Sequence, residues 1–377
     1  MKMNYYLDKR KYKIEFCPDS EGMDIKKKKQ SYTSIAKDLK RDHQGQKVML
    51  VIDRNISKKI SRYLIHDLKI SFPKLKILYL NGEKTNKNIS VLFKIIDSFF
   101  KNKFIKKSVL VSFGGGVIGD VCGLASSLYL RGLIHLHIPT TMTSIIDSCI
   151  GGKTGINYSG AINSLGTYYH PKKVYISKNI ISLLPDREYL AGIPEILKCG
   201  LLSNNPTLKL LKNKEKVLSK KFDYISKIIK HTLQTKINFV KHDVYEENKR
   251  LNLNFGHTFA HAIEMALEDK KSEKIRHGEA VGIGLLCEIY YVNGKNKNFF
   301  FTKQILDNYD LPTNIRKFVK KNEIKKLREK IYKNIFLDKK RINKFPRYVK
   351  FKKIGKTHIS EMKNFLRIKE TIKKVIL

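Results

Sequence analysis

The 377-residue chain is poor in carboxylates, with 34 Asp and Glu against 76 Lys and Arg. Its five cysteines, at positions 17, 122, 149, 199 and 287, contain no C-x-x-C pair. That absence excludes a paired-thiol framework. An odd, scattered set reads as small buried hydrophobes in a reducing cytosol. No run of eighteen apolar residues occurs, so no transmembrane helix and no membrane partner are expected. Met1 to Tyr12 lacks an apolar h-region, which argues against a secretory signal and for a cytoplasmic protein. Internal repeats and low-complexity linkers are missing too.

The scarcity of acid leaves a formal net charge of +42. A specialised nucleic-acid binder concentrates Arg and Lys on one element, interleaved with aromatics. Here the positive charge is mostly Lys, spread along the chain, and nearly absent from Leu110 to Tyr169. No specific nucleic-acid partner is expected. The charge favours encounter with phosphorylated small molecules.

What is present is a regular alternation. The apolar runs Lys47–Asp53, Lys74–Leu80, Val109–Phe113, Ile134–Ile138 and Val174–Ser177 read as strands buried on both faces. Helical periods lie between them at Ile56–Leu68, Ile89–Lys101 and Asp120–Leu130. This predicts an α/β domain with a mainly parallel sheet and ligands at the carboxyl ends of its strands. From about Leu184 the texture turns helical, at Leu208–Leu218, Tyr224–Val240 and Ala280–Tyr291. Tyr348–Phe351 reads as a short hairpin strand and Ile359–Leu377 as one amphipathic helix. The boundary falls near Pro185, giving an α/β nucleotide-binding domain over 1–183 and an all-α domain over 184–377.

Gly114, Gly116 and Gly119 fit G-x-G-x-x-G between a strand and a helix. Glycines there let the backbone approach a pyrophosphate, and the helix N-terminus offers it unpaired N–H groups. The usual acidic residue about 20 positions later is missing, so Asp53 and Glu83 become the candidates for a ribose. Gly152-Lys153-Thr154 imitates the end of a P-loop, but Asp147 stands where that loop needs glycine. An ATPase P-loop is excluded.

His257 and His261 lie at i and i+4 on one helical face, His277 follows, and Glu195 precedes them. Three nitrogen or oxygen ligands with an open fourth position make a catalytic zinc site. The same histidines could instead cap helices or pair with carboxylates.

These blocks, taken in order, resemble 3-dehydroquinate synthase, within the sugar-phosphate cyclase superfamily. The resemblance rests on Gly114-Gly115-Gly116-Val117-Ile118-Gly119-Asp120, Arg131-Gly132, Pro139-Thr140-Thr141, Asp147-Ser148 and Gly151-Gly152-Lys153-Thr154. It continues in Pro194-Glu195-Ile196-Leu197-Lys198, Asn254 to Glu264, and His277-Gly278-Glu279-Ala280-Val281. It implies a nucleotide-binding α/β domain, a helical domain, and an active site in the cleft. By that resemblance Glu195, His257 and His277 are the metal ligands, for zinc or cobalt. His261 is a catalytic histidine and Glu246 a carboxylate of the same site. The substrate contacts implied are Arg131, Asp147, Lys153, Asn163, Lys198, Arg250 and Asn254, with Lys340 or its neighbour Lys339. The NAD contacts implied are Asp53, Asn55, Glu83, Lys87, Gly115, Gly116, Val117, Ile118, Gly119, Asp120, Thr140, Thr141, Lys153, and Ile180, Ile181, Ser182 and Leu183.

The activity implied is a phosphate-eliminating lyase of the shikimate pathway, leading to chorismate and the aromatic amino acids. It converts 3-deoxy-D-arabino-heptulosonate 7-phosphate to 3-dehydroquinate. The steps are transient oxidation by NAD, phosphate elimination, re-reduction and intramolecular aldol closure. A homodimer is implied as well. Two departures stand out. Ala161-Ile162-Asn163 replaces the family's Gly-Lys-Asn, which predicts a weaker grip on cofactor or substrate. The family's Glu-x-x-Lys is stretched by one residue, to Glu83…Lys87. Another sugar-phosphate cyclase, a metal-dependent polyol dehydrogenase, and a degenerate paralogue acting as a basic binding protein are the competing readings.

Overall fold

The computed structural model describes residues 1–7, 10–17, 32–56, 58–159, 161–267, 275–337 and 345–377. Two compact units emerge: Met1–Pro185 with Lys220–Ser226, and Asp186–Ser219 with Lys227–Leu377.

The first unit is built on strands β1 (Lys2–Leu7), β2 (Arg10–Cys17), β3 (Val48–Asp53), β4 (Lys76–Leu80), β5 (Val109–Gly114) and β6 (Ile134–Pro139). A hairpin, β7 (Lys153–Tyr158) and β8 (Ala161–Tyr168), precedes β9 (Lys173–Ser177). Seven strands form one sheet in the order β1-β2-β9-β6-β5-β3-β4. Only the β1–β2 pair is antiparallel. Its helices are α1 (Thr33–His43), α2 (Lys58–Ser71), α3 (Ile89–Lys101), α4 (Gly116–Leu128) and α5 (Lys178–Leu183). The alternation along β3 explains the layers. Leu50 and Ile52 face α1 and α2 through Ile35, Leu39, Leu64 and Leu68. Met49 and Val51 face α3 and α4 through Leu92, Ile95, Phe99 and Val121. Both faces of the central strands are covered, which is why they read as continuous apolar runs.

The sheet reverses its order between β3 and β5. Ligands of such sheets bind outside the carboxyl ends at that point. Asp53 ends β3 and Gly114 ends β5.

The second unit holds α6 (Asp186–Leu190), α7 (Ile193–Ser203), α8 (Thr207–Leu211), α9 (Lys214–Leu218), and α10 (Phe222–His242), whose first residues count with the other unit. A 3-10 turn, Lys249–Asn254, leads to α11 (His257–Leu267), α12 (His277–Asn293), α13 (Lys297–Asn308) and α14 (Ile324–Ile335). Strands β10 (Arg347–Lys353) and β11 (Lys356–Glu361) form a hairpin before α15 (Phe365–Thr371). Helix α12 is buried from Gly278 to Tyr291 and is the axis on which the others pack.

Three expectations are corrected. Leu208–Leu218 is not one helix, because Asn213 breaks it and caps the next turn, its side chain accepting from Lys216 N. The tail is not one helix from Ile359. It turns at Gly355 (φ +76°), pairs as β11, and starts α15 only at Asn364, whose side chain accepts from Arg367 N. Third, the helix expected from Asp120 to Leu130 begins at Gly116 and ends at Leu128, and β1 and β2 were not anticipated, although Met3, Tyr5 and Leu7 alternate inward. All five cysteines are buried.

Candidate functional site

In the first unit, the glycine-rich turn opens α4. Gly114 ends β5, Gly115 is the extended residue before the helix, and Gly116 begins it. Val117, Ile118, Gly119 and Asp120 form the first turn of that helix. Thr140 follows β6 and donates its N–H to Gly114 O (3.0 Å). Thr141 Oγ1 accepts from Ser144 N (3.2 Å). One turn over, Asp53 Oδ1 accepts from Asn55 N (3.0 Å) and Gly82 N (3.1 Å). A Cβ on Gly82 would lie 2.1 Å from Asp53 Oδ2, so only glycine permits this approach. Glu83 is exposed immediately after it.

Lys87 stands at the end of the stretched motif. Its buried ammonium sits 2.5 Å from Asp120 Oδ2 and 2.5 Å from Asn163 Oδ1. The 3-10 turn Lys84–Asn86 immediately precedes it. Ile162 is 55% exposed beside Asn163, so the cation of this corner is Lys87. Lys153 starts β7 and is exposed, Asp147 lies in the tight turn Ser144–Ser148, and Arg131 is exposed with φ +58°. In α5, Ile180 and Ile181 point into the core, leaving Ser182 and the exposed Leu183 nearer the surface.

In the second unit, Glu195 stands in the first turn of α7, His257 begins α11 and His277 begins α12. Their ligand atoms all lie within 4.8 Å of one another. Two close helix approaches make this possible. A Cβ on Gly278 would lie 1.7 Å from Ala191 O, so glycine lets the start of α12 reach the start of α7. A Cβ on Gly284 would lie 2.0 Å from Gly256 O, so glycine lets α12 touch the entry to α11.

Glu195 Oε1 is 3.4 Å from both His257 Nε2 and His277 Nε2. It is buried and, among the described residues, makes no hydrogen bond of ordinary geometry. A buried carboxylate oxygen facing two imidazole nitrogens, with room between them, fits a divalent ion better than a hydrogen-bond network. The far ring nitrogens are anchored: His277 Nδ1 lies 3.1 Å from Glu264 Oε2, and His257 Nδ1 lies 3.1 Å from Phe255 O. Such outer partners fix ring orientation in metal sites.

Lys198, expected as a substrate contact, is 2% exposed, with its ammonium 2.5 Å from Glu195 Oε2. Burial opposes ionisation of Glu195, but the Lys198 charge and the two imidazoles hold its carboxyl well below the usual range. Burial and Lys198 push His257 down. Burial also acts to lower His277, yet Glu264 and Glu195 outweigh it and raise that ring to about 10.

His261 follows one turn after His257, its ring 5.5 Å from that ring and 6.3 Å from His277, centroid to centroid. Arg250 is buried and donates from its own N–H to Asp243 Oδ2 and from Nη1 to Val244 O. Asn254 Nδ2 donates to Glu246 Oε1 (2.9 Å). Lys339 and Lys340 lie outside the described residues.

Sequence reasoning left two residues of this site without a role. Glu264 sits seven residues after His257, two helical turns along the same face, and that spacing was a usable signal. Arg347 lines a small cavity with Asn254, His257 and His261, and no local pattern could have announced it. Another cavity of this unit, about 760 Å³, is lined by other residues, among them Thr235, Asn238, Lys249 and Lys356.

Residues 77–191 match the family model for the 3-dehydroquinate synthase N-terminal domain, and residues 192–341 match that for its C-terminal domain. A 3-dehydroquinate synthase of Prochlorococcus marinus (strain MIT 9312) is 33% identical over 285 residues, 74% of this chain and 78% of that protein. One from Sulfurimonas denitrificans is 35% identical over 302 residues, 79% and 82% of the two chains. Among solved structures, a 2-deoxy-scyllo-inosose synthase complexed with carbaglucose-6-phosphate, NAD⁺ and Co²⁺ superimposes with a TM-score of 0.83. That match has 22% identity and covers 100% of both chains. The chain belongs to the 3-dehydroquinate synthase family.

Proposed function

We propose that this chain converts 3-deoxy-D-arabino-heptulosonate 7-phosphate to 3-dehydroquinate and phosphate, using NAD and one divalent metal ion, zinc or cobalt. When bound, the dinucleotide supplies a reversible hydride acceptor and the ion supplies Lewis acidity. Glu195, His257 and His277 hold the metal. The observation that carries the reading is the buried Glu195 oxygen between two imidazoles that are each anchored from behind.

The remaining assignments follow the chemistry of each group. His261 accepts a proton from the substrate hydroxyl, since imidazole titrates near neutral pH. Glu246, steadied by Asn254, serves the same site. Lys153, Asn163, Lys198 and Arg250 clamp the phosphate and carboxylate, Arg131, Asp147 and Lys340 or Lys339 complete the substrate contacts, and together they hold one flexible substrate in reactive geometry. Asp53, Asn55, Glu83, Lys87, Asp120, Thr140 and Thr141, with the turn Gly115–Gly119 and the stretch 180–183, receive NAD. Residues 1–183 form the nucleotide-binding domain and 184–377 the metal and substrate domain.

The family reaction ends with the cofactor as it began. Purified protein with substrate and catalytic NAD⁺ is therefore expected to release one phosphate per substrate without accumulating NADH. Steady NADH production would point to a polyol dehydrogenase. Retention of phosphate release by Glu195→Ala would overturn the reading.

We also propose a cytoplasmic homodimer. Buried thiols support the compartment. Exposed Phe93, Phe100, Ile105, Leu128 and Leu130 in the first unit support self-association. Light scattering on a sizing column tests it: a monomer at micromolar concentration would overturn the dimer.

A further inference from the structure

The cavity of about 760 Å³ in the second unit has no part in the proposed reaction. Its walls come from the end of α7, the middle of α10, the 3-10 turn Lys249–Asn254 and the tip of the β10–β11 hairpin. Small-ligand pockets usually measure about 300–1,000 Å³. Hydrogen bonds between the elements fix the walls. Gly355 at the hairpin tip donates its N–H to Leu201 O on α7 (2.8 Å). Thr357 Oγ1 donates to Asn252 Oδ1 (2.8 Å), tying the hairpin to the 3-10 turn. Ser203 Oγ lies 2.9 Å from Thr235 Oγ1, joining α7 to α10. Residues three apart in a 3-10 turn share a face. Lys249 and Asn252 line this cavity, whereas Leu251 and Asn254 line the small one beside His257 and His261. The two cavities share no lining residue.

The charge of the lining has one sign. Lys249 reaches it from the 3-10 turn, and Lys352, Lys356 and His358 reach it from the hairpin. Among the described residues, no Asp or Glu lines the cavity. Among those residues too, none of the three ammonium groups is paired with a carboxylate. Lys87, Lys173 and Lys198, by contrast, each meet one. Slight burial and the charges of Lys352 and Lys350 hold the His358 ring below its usual range. A concave surface carrying unbalanced charge of one sign concentrates the opposite ion. No arginine lines the cavity, so the wall does not offer the planar fork that grips a carboxylate. Ammonium groups are point charges with rotatable donors, which suit the oxygens of phosphate. Leu202 and Phe239 add apolar surface for the body of a larger molecule.

We infer that this cavity is a second ligand site of the protein, taking a small molecule with a diphosphate or two phosphate groups, held by Lys249, Lys352 and Lys356. One phosphate monoester carries a charge of about −1.5 to −2 and leaves an ammonium unbalanced, whereas two phosphate groups match all three. The walls are fixed before the ligand arrives, so less freedom is lost on binding. The site goes beyond the proposed reaction and does not depend on it.

Calorimetric titration of the full-length protein with inorganic pyrophosphate, at fixed ionic strength, tests this. A saturable binding event is expected, and the double variant Lys352→Gln/Lys356→Gln should weaken it about tenfold. The double variant Lys106→Gln/Lys107→Gln removes the same charge from residues that do not line the cavity. It should change the affinity by less than about twofold, since isolated surface charges contribute little. These lysines are all exposed, so both variants should fold. Citrate, whose charges are all carboxylates, is expected to bind more weakly than pyrophosphate. In proton NMR the His358 ring resonance, identified by its loss in His358→Gln, should shift as pyrophosphate saturates. Equal losses in the two double variants overturn the inference, as does a His358 resonance that stays in place. Citrate binding as tightly as pyrophosphate overturns the choice of phosphate, and with it the ligand class inferred.

Discussion

Glu264 Oε2 and His277 Nδ1 lie 3.1 Å apart, so the imidazole that offers Nε2 toward Glu195 is gripped from its opposite nitrogen. One carboxylate faces the ion's place and another stands behind the ring. The arrangement tunes orientation and basicity together, as in other carboxylate–histidine metal sites.

Glu264→Gln keeps the size and a hydrogen bond but removes the charge. Metal affinity is expected to fall about 10- to 100-fold, the usual cost of losing an outer partner. Competition against a chromophoric chelator measures it. The thermal midpoint of the metal-free protein should fall as well, because there the Glu264 charge stabilises protonated His277.

The raised His277 makes metal binding pH-dependent. Without metal this ring holds its proton up to about pH 10. A metal needs the bare nitrogen, so binding near neutral pH expels a proton. Affinity should therefore rise with pH, about tenfold per unit for each proton released. Calorimetry in two buffers of different ionisation enthalpy counts that proton. No proton release near pH 7 would contradict the geometry.

His135 and His137 are held neutral in the fold at about 3 and about 4. Unfolded histidine titrates near 6.5, so as pH falls below that value the unfolded chain takes up protons first. Their neutral state thus carries no penalty above about pH 6.5, and stability falls progressively toward pH 4. At pH 5 the loss is about 2 kcal/mol per ring, from about 1.4 kcal/mol per unit of pH. Denaturant melts at pH 7 and pH 5 test this. His137→Gln should flatten the slope by about half.

Ile162→Lys restores a charge at an exposed position beside Asn163. A charge-assisted hydrogen bond contributes about 1.5–3 kcal/mol, so at least about a tenfold gain in NAD or substrate affinity is expected. Kd for NAD⁺ and KM for substrate, measured side by side, show which ligand gains. An unchanged pair of constants would mean that Lys87 already supplies the whole contact.

Gly278→Ala places a methyl carbon where Ala191 O already is. The start of α12 must move away from α7. Overpacking of this kind costs about 1–3 kcal/mol or more. The sharper expectation is functional: His277 withdraws from Glu195, and bound metal, read by elemental analysis, drops well below one per chain.

Much of this molecule was readable along the chain. Strands covered on both faces must be apolar throughout, so β3, β5, β6 and β9 announced themselves, as did the helix α3. The glycine turn was legible because its neighbours are local: strand, tight turn and helix start lie within a dozen residues. The ordered motifs named Glu195, His257 and His277 together. Short alternating strands were harder to see, because a six-residue alternation such as Met3, Tyr5 and Leu7 is weak against a lysine-rich background. The hairpin β10–β11 was half-seen for the same reason.

Sequence alone determined the alternation of the central strands and helices and the family, because these depend on local period and on residue chemistry. Only the tertiary structure decided that Lys198 is buried against Glu195, that Lys87 faces Asp120 and Asn163, and that Glu264 backs His277. The last two are contacts between elements and the first is an i, i+3 pair of α7 buried by its neighbours, so all depend on how closely helices and loops can approach. That closeness is set by single missing side chains, Gly278 against Ala191 and Gly284 against Gly256. Their effect has no meaning until the chain has folded.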